Sequence, residues 1–552
     1  MSKTHHSKRI RRSRRSSRYR IVVVLLLLGV TATTLADELQ ESLRQRIEAI
    51  EAGFAPEVQD QQLWASPALV RFYTQRGFRS AWLDAGHLGN QVNALLQALR
   101  DARRHGLQPR DYHERSIVQL MSTPNNELSL QARIDLDLLL SDAFLTLGTH
   151  LSEGKLIGKD HFQQTTGELL PLLEQGLSSQ SVGPILSTLG PQQPGYQALL
   201  QERRRIQALL QEPWQVIETG PVIRPNSRSD RMPQITQRLQ QLGDLRQNVP
   251  ATDRYNALRV EAVKHLQRRH SLKDDGLIGP KTLTILNMHP MTRLETIDAN
   301  LERWRWLPEQ LGERYVLVNL ALLELEAVAD DQVIQNQDIG VGAACLTPST
   351  HSYTMHYLVL NPSWVVPPDV AVKHLWNEVQ GHPDRLERAG FALYAGWGEQ
   401  ERQLDLETTD WTLLDDDPVP YRLIQAPGPK NALGNLAFRF DDGRHMLHGT
   451  PQVEPFGGHA TPFSVGCIRL QDARQLAIWL LGAQEGFSQP VFEQQLASGE
   501  TRTVPLEASV PVHIEYRTAW VDGALGLHLV PDWRERDEGI ARDLAKPLQE
   551  LL

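Results

Sequence analysis

Residues 448–469 read HGTPQVEPFGGHATPFSVGCIR, and this stretch decides both the fold class and the chemistry of the chain. An imidazole, His448, precedes a thiol, Cys467, by 19 residues. This separation leaves room for a strand, a loop and a chain segment that turns back towards the strand, so the two side chains can lie close together. A thiol is nucleophilic as its thiolate, and a nearby imidazole lowers the thiol pKa. The stretch therefore predicts acyl transfer through a thioester, with Cys467 as the nucleophile and His448 as the general base.

The residues around the thiol predict the rest of the site. Gly466 lets a substrate approach the backbone closely, so the N–H groups of Gly466 and Cys467 are expected to bind the oxyanion. Arg469 is a candidate for binding a substrate carboxylate through a charge-assisted hydrogen bond. Three further residues are expected to bind substrate or to pack beside the site: Ser464, Trp364 and Phe456.

Two other interpretations of these residues are open. His445, His448, His459 and Cys467 could bind zinc, since imidazoles and thiolates are zinc ligands. Side chains three apart on a strand point to opposite faces, which argues against His445 and His448 sharing a metal, so no metal or cofactor is expected. Cys345 and Cys467 could form a disulfide in an oxidising compartment. Because a disulfide would prevent Cys467 from acting as a nucleophile, two free thiols are the preferred interpretation.

The same motif resembles the L,D-transpeptidases, bacterial cell-wall enzymes in which a histidine precedes Ser-x-Gly-Cys and a hydrophobic residue followed by Arg or Asn. Residues 361–368 (NPSWVVPP) and 425–434 (QAPGPKNALG) are similar to segments that lead to the active site of that family. The chain departs from the family at Val465, where many members have His or Ser. The segment 445–447 lacks a common aromatic residue, and the loop 340–348 lacks the usual Arg.

The resemblance implies a mechanism and a substrate. The carbonyl of Gly449 would orient the imidazole of His448. Peptidoglycan would be the substrate, with a tetrapeptide stem as acyl donor and a neighbouring stem as acceptor, which gives a 3→3 cross-link and releases D-Ala. Water as the acceptor would instead give L,D-carboxypeptidase activity, and a noncatalytic wall-binding scaffold is a third alternative. Carbapenem acylation of Cys467 is implied, and peptidoglycan synthases are candidate partners.

The length of 552 residues exceeds what one hydrophobic core serves, so several domains are expected. We predict a multidomain α+β protein with an α-helical scaffold domain over 37–220 and a small three-helix peptidoglycan-binding-like module over 231–290. A mainly β, sandwich-like L,D-transpeptidase catalytic domain is expected over 300–540, followed by a tail over 541–552. By resemblance to the larger Gram-negative members, an insertion over 369–420 corresponds to a capping segment.

Local patterns support these domains. Ile134, Leu138, Ala143 and Leu147 mark one helix of the scaffold. In the small module an Asp275-Gly276 turn would end one helix and Gly279-Pro280 would begin the next. Near the end of the chain Asp522-Gly523 predicts a hairpin. Its two arms are expected at 512–516 and 525–529.

The start of the chain has the order of an export signal. Residues 1–20 contain nine Lys or Arg and no acid, and residues 21–36 are uncharged. The strongly apolar part, 21–30, is shorter than the roughly twenty residues that span a bilayer. Cleavage after Ala36 and a periplasmic location are therefore expected, with inner-membrane contact only if the leader is retained. Its removal lowers the formal net charge from −9 to −18, so nucleic acid is not an expected partner.

Overall fold

A computed structural model divides the chain into two compact units. One contains the residues up to Gln192 together with Arg542–Leu552, and the other contains Gln193–Ala541. Residues 1–35 of the export signal predicted over 1–36 lie outside the described residues. The residues that the structure describes are 36–54, 57–84, 87–124, 127–330, 332–342, 350–366, 384–396, 401–406, 408–409, 421–443, 445–450 and 468–552.

The first unit is helical and surrounds one long central helix. Leu130–Ser152 has 23 residues, and all residues from Ile134 to Leu151 are buried. This helix is therefore covered on every side, and it lacks the polar face of a surface helix. After a helix over 36–51, the unit contains α1 (Ser66–Gln75), α2 (Gln91–Asp101), α3 (Glu114–Met121), α4 (Leu130–Ser152), α5 (Lys159–Glu168), α6 (Leu170–Ser178) and α7 (Val182–Leu189). Four short strands also belong to it: β1 (Glu57–Val58), β2 (Gln61–Gln62), β3 (Leu83–Asp84) and β4 (His87–Leu88).

Buried carboxylates on α4 hold the neighbouring loops. Asp137 accepts hydrogen bonds from the backbone N–H groups of Ala81 at 3.0 Å and Trp82 at 3.1 Å. Asp142 accepts one from Ala65 N–H at 2.8 Å. Buried charges are tolerated when they are hydrogen-bonded in this way, so the loops on both sides of α1 are fastened to α4. Within the described ranges, no helix combines the length and apolar character needed to cross a membrane.

A buried lysine attaches the C-terminal segment to the helical unit. Lys155 Nζ donates to the carboxylate of Asp111 at 2.8 Å. It also donates to the backbone carbonyls of Leu544 at 2.8 Å and Lys546 at 2.7 Å. The ammonium is fully buried, so these acceptors replace the water that it loses on folding.

The second unit contains the predicted three-helix module. Gly276 has φ +70°, and its N–H donates to Gln267 Oε1 at 2.9 Å, so a turn is present at Asp275-Gly276. The expectation that this turn ends a helix was wrong, because the preceding helix already ends at Arg268. The next helix begins at Pro280, as the Gly279-Pro280 pair predicts. The prediction of a small helical module is confirmed. The helices of this region are α8 (Pro194–Ala208), α9 (Met232–Leu242), α10 (Ala257–Arg268), α11 (Pro280–Asn287) and α12 (Pro290–Arg305).

The rest of the second unit is rich in β-structure, as predicted. Its strands are β5 (Arg314–Asn319), β6 (Glu324–Ala329), β7 (Gln332–Val341), β8 (His351–Leu360), β9 (Trp364–Val365), β10 (Phe391–Ala395), β11 (Arg402–Leu404), β12 (Tyr421–Gln425), β13 (Leu436–Phe440), β14 (Met446–His448), β15 (Ile468–Leu470), β16 (Arg502–Glu515), β17 (Ala519–Asp522) and β18 (Gly526–Leu529). Four more helices accompany them: α13 (Asp384–Arg388), α14 (Ala473–Leu481), α15 (Gln489–Ala497) and α16 (Arg536–Ala545).

Eight of these strands form a closed barrel in the order β13-β14-β15-β7-β6-β5-β16-β8. Closure depends on the long strand β16, which pairs in parallel with β5 and antiparallel with β8. The expected sandwich-like packing thus takes the form of a barrel, in which every strand of the closed sheet has two neighbours. Side chains fill an interior of this size, and Phe438, Leu447 and Leu476 belong to its core.

A second sheet has the strand order β11-β10-β12-β9. The described part of the predicted insertion supplies β10, β11 and α13, and strands from outside the insertion complete the sheet. Trp364, Leu393, Leu423 and Leu433 form its separate apolar core. The remainder of the insertion lies outside the described residues.

The hairpin at Asp522-Gly523 has a different first arm from the one predicted. β17 pairs with β18 in the register Ala519↔Leu529 to Asp522↔Gly526. The assignment of 512–516 to this hairpin was wrong, because residues 512–515 belong to β16. In the barrel these residues pair with β5 on one side and with β8 on the other, and Val512 and Ile514 are buried.

Candidate active site

Four of the predicted site residues are described: His448, Gly449, Arg469 and Trp364. The others lie outside the described residues: Cys467, Gly466, Ser464 and Phe456, as do Cys345 and His459. The described geometry is therefore that of the His448 imidazole, of the Gly449 carbonyl and of the strand that directly follows Cys467 in sequence.

His448 is the last residue of β14, between two other strands. It lies opposite Ala437 of β13 and opposite Arg469 of the parallel strand β15. Leu447 and Ile468 also form a register pair, and both are buried in the barrel core. Since side chains alternate along a strand, His448 and Arg469 share the opposite face of the sheet.

The imidazole of His448 is buried and held in one orientation. Its Nδ1 lies 2.6 Å from the carbonyl oxygen of Gly449, which is the contact that the family resemblance implies. A carbonyl oxygen can only accept, so Nδ1 carries the proton and Nε2 carries the lone pair. Nε2 is buried and has no hydrogen-bond partner among the described residues.

Burial lowers the pKa of His448 to about 4, because the charged imidazolium would lose its hydration. The hydrogen bond to Gly449 opposes this change, and the positive charges of Arg469 and Arg439 lower the pKa further. The imidazole is therefore neutral at pH 7. In this form Nε2 can accept a proton.

A glycine contact fixes the backbone beside His448. Gly434 has φ +65°, and a Cβ at this residue would lie 2.8 Å from both the carbonyl carbon of Gly449 and the nitrogen of Thr450. No side chain fits this gap without moving the backbone. Gly449 N–H also donates to Leu436 O at 2.9 Å. The carbonyl that orients the imidazole is thus positioned by its close packing on Gly434.

A second glycine accommodates Arg469. Gly340 of β7 is its register partner, and a Cβ on Gly340 would lie 3.2 Å from Arg469 Nε. The guanidinium therefore lies over a strand position that has no side chain. The sequence analysis assigned no role to Gly340 or Gly434. Their position within or beside a strand was the available indication, because glycine there often marks the close approach of another backbone or side chain.

The loop 425–434 is ordered by two amide side chains. Asn431 Nδ2 donates to the carbonyls of Pro362 and Ala426, both at 3.0 Å, and its Oδ1 accepts from Leu433 N–H at 2.8 Å. Gln425 Oε1 accepts from Ala432 N–H at 2.8 Å. These hydrogen bonds hold the loop that ends at Gly434, and they therefore position Gly434 beside the backbone that follows His448.

Trp364 lies in the core of the second sheet. Its ring packs edge-on against Phe391, with centroids 6.0 Å apart, and the residue is buried. This environment favours packing, the other role that the sequence allows for it.

His445 does not share the environment of His448. It precedes β14, its Nδ1 contacts the carboxylate of Asp442, and its ring lies 5.1 Å from that of Tyr353. Within the described residues, no group of three or more His, Cys, Asp or Glu side chains is arranged to hold a metal ion.

Three family models match separate parts of the chain. Residues 67–202 match a scaffold domain, residues 228–286 match a family described as "Putative peptidoglycan binding domain", and residues 313–513 match the L,D-transpeptidase catalytic domain. The chain is also 28% identical over 270 residues to a protein from Haemophilus influenzae named "Putative L,D-transpeptidase". This match covers 48% of the chain, and the chain spans only 53% of that relative.

Two solved structures also match. One is an L,D-transpeptidase from Xylanimonas cellulosilytica, with 13% identity and a TM-score of 0.17 over 54% of this chain and 99% of that one. The other is a fused Zn-dependent amidase/peptidase and peptidoglycan-binding protein from Clostridium acetobutylicum. It has 12% identity and a TM-score of 0.16 over 54% of this chain and all of the other.

Proposed function

We propose that this protein, whose residues 313–513 match the L,D-transpeptidase catalytic domain, makes 3→3 cross-links between peptidoglycan stems through a thioester on Cys467. The observation that carries the proposal is the state of His448. Its Nδ1 proton is engaged by Gly449 O, and its neutral Nε2 is left without a partner among the described residues. A buried imidazole in this state suits a general base.

In the first half-reaction, His448 Nε2 takes the proton from Cys467 Sγ. The thiolate attacks the carbonyl carbon of the third stem residue, and the N–H groups of Gly466 and Cys467 stabilise the oxyanion. The C–N bond to the terminal D-Ala then breaks, and His448 returns the proton to the leaving amine. The products are a thioester on Cys467 and free D-Ala.

In the second half-reaction, a side-chain amine of a neighbouring stem attacks the thioester. His448 accepts the proton that the amine loses, the C–S bond breaks, and the departing thiolate is reprotonated. The new C–N bond is the cross-link. If water attacks instead, the same steps release a shortened stem with a new carboxylate.

The register of β14 and β15 supports the pairing of base and nucleophile, because the residue that follows Cys467 in sequence lies in the strand beside His448. Cys467 is joined by a peptide bond to Ile468, which lies opposite Leu447, the neighbour of His448. The charge of Arg469, on the same face as His448, would then attract a substrate carboxylate.

The small module would contribute affinity for the cell wall. It carries an open groove of about 980 Å³ that includes Val249, Pro250 and Leu258, whose side chain is 53% exposed. Arg246 and Arg254 also line the groove, and neither forms an ion pair with a described residue. Apolar and cationic groups together suit a polymer that carries peptide carboxylates. We also propose export to the periplasm, where this polymer is found.

The test of catalysis is carbapenem labelling combined with product analysis on purified stems. We expect the full chain to be acylated and to form a cross-linked dimer. Cys467→Ala should lose both activities, and Cys345→Ala should keep both. Product formation by Cys467→Ala would refute the thioester, and shortened stems without dimers would show that hydrolysis is the activity.

The test of wall affinity compares two exposed apolar residues. Leu258→Ser alters the groove, and Val333→Ser alters β7 at the same exposure of 53%. Leu258→Ser should weaken sedimentation with purified sacculi and leave carbapenem acylation unchanged. Equal binding by the two variants would contradict a role for the groove.

A further inference from the structure

The helical unit carries a groove of about 630 Å³ in which three arginines meet: Arg71, Arg76 and Arg79. Glu174 is the one carboxylate among the described residues that line it. This local excess of positive charge contrasts with the formal net charge of −9 for the whole chain. The unit contains none of the candidate active-site residues, so the catalytic site does not account for the groove.

Two of the three guanidinium groups have no acidic partner in the described part of the chain. Arg76 forms an ion pair with Glu174, which leaves Arg71 and Arg79 without an ion pair to any described residue. Arg79 Nε donates to the carbonyl oxygen of Arg76 at 3.0 Å, and its terminal nitrogens remain available. A guanidinium fork matches the two oxygens of a carboxylate, so each of these groups can form a bidentate pair.

The turn that carries Arg79 is held in place before any ligand arrives. Gly77 and Phe78 both have φ +60°, which for phenylalanine costs about 1 kcal/mol. Phe78 N–H donates to Tyr73 O at 2.7 Å. The buried carboxylate of Asp137 accepts hydrogen bonds from the residues that follow the turn. Backbone strain retained by surrounding structure occurs preferentially where geometry matters for function.

Arg71 depends on a glycine in the facing helix. A Cβ on Gly167 of α5 would overlap an Nη atom of Arg71 and would lie 2.9 Å from its Cζ. The guanidinium therefore occupies the volume where any other residue would place its side chain. Glycine within a helix costs about 1 kcal/mol relative to alanine, so this residue lowers helix stability and leaves room for Arg71.

We propose that this groove is a second binding site for a carboxylate-bearing peptide, which rests on the stem peptide being the substrate. The carboxylates pair with Arg71 and Arg79, and the aliphatic parts of the peptide lie on Phe72, Leu170 and Pro171. Uncross-linked stems carry several carboxylates and fit this pattern. The groove thus retains a stem on the helical unit independently of the chemistry at Cys467.

Hydrogen exchange on the full chain tests the proposal, because it locates the ligand. The probes are a tetrapeptide stem, the same stem with its carboxylates amidated, and inorganic phosphate. We expect the unmodified stem to protect α1 and α6, and the amidated stem to leave them unprotected. Phosphate that protects these helices as well as the stem does would overturn specificity for a peptide.

Four variants separate charge from folding. Arg71→Gln and Arg79→Gln should each raise the stem concentration for half-protection about tenfold, the effect of losing one charge-assisted pair. Gly167→Ala should do the same by displacing Arg71, although it favours the helix. Arg104→Gln, an exposed arginine of the same unit outside the groove, should have no effect. Unchanged protection in the first three variants would overturn the proposal.

The same measurement distinguishes this inference from the proposed function. Protection of β13 and β14 by the stem reports on the catalytic domain, and protection of α1 reports on the groove. Protection of the strands alone would overturn the second site and leave the proposed function standing. Protection of α1 alone would support the second site and count against the proposed function.

Discussion

Gly434→Ala is expected to disturb the proposed catalytic site, because it would displace the backbone of Gly449 that contacts His448. Alanine at φ +65° costs about 1 kcal/mol because the left-handed region crowds its Cβ. The Cβ would also lie 2.8 Å from two backbone atoms that no rotamer change can move away. Overpacking of this kind costs typically about 1 to 3 kcal/mol, so the total destabilisation should be about 2 to 4 kcal/mol.

Gly443→Ala is the matched control. Gly443 has φ +67°, and its Cβ would have no atom within 4 Å. It lies in the turn between β13 and β14, so both substitutions affect the same strands. The control should show the conformational cost of about 1 kcal/mol alone.

The assay has two readouts. Hydrogen exchange of β13 and β14 measures local stability, which suits a chain with several domains better than one global transition. The rate of carbapenem acylation measures the site, where a displacement of about 1 Å can cost about 10²-fold. Gly434→Ala should reduce both quantities, and Gly443→Ala should leave acylation nearly unchanged. Equal effects of the two variants would refute the role assigned to Gly434.

Three further outcomes are expected. His448→Ala should slow acylation by about 10² or more, the usual contribution of positioned proton transfer, and His445→Ala should slow it less. Because burial lowers the pKa of His448 from 6.5 to about 4, the unfolded chain binds a proton between these values that the folded chain does not. The contribution of neutral His448 to the free energy of unfolding should therefore be fully present above pH 6.5 and should fall towards pH 4, by at most about 3 kcal/mol. Urea titrations should show this decrease for the wild type but not for His448→Gln. Lys155→Met should destabilise the helical unit by about 3 to 5 kcal/mol, measured by thermal unfolding, because it leaves the buried Asp111 carboxylate without its cation.

Local features of the sequence predicted local structure well. The Gly276 turn and the Pro280 helix start depend on residues within a few positions of each other, and both are present. The contact between His448 and Gly449 joins neighbouring residues and also appears as implied. The roles of the residues at the thiol remain predictions.

Features that depend on contacts between residues far apart in the sequence could not be predicted from local patterns. Gly434 and Gly340 matter because of the backbone or side chain packed against them across the fold, and no local pattern shows that neighbour. The wrong hairpin arm has the same cause, since β16 pairs with two strands more than a hundred residues earlier in the chain. On α4, the charged residue Asp137 is buried, and loops that are distant in sequence supply its hydrogen-bond donors.

The attachment of residues 544 and 546 to Lys155 has a consequence for the order of folding. The carbonyls of Leu544 and Lys546 are 389 and 391 positions from Lys155, so these two acceptors are synthesised long after the helix that precedes Lys155. Before Leu544 and Lys546 have been synthesised, a helical folding intermediate must either leave the Lys155 ammonium in water or bury it without these two carbonyls. Contacts of such long sequence separation form late and slow the search for the native state. The helical unit should therefore complete its packing only after the whole β-rich region has been synthesised, because Lys155 requires the carbonyls of Leu544 and Lys546.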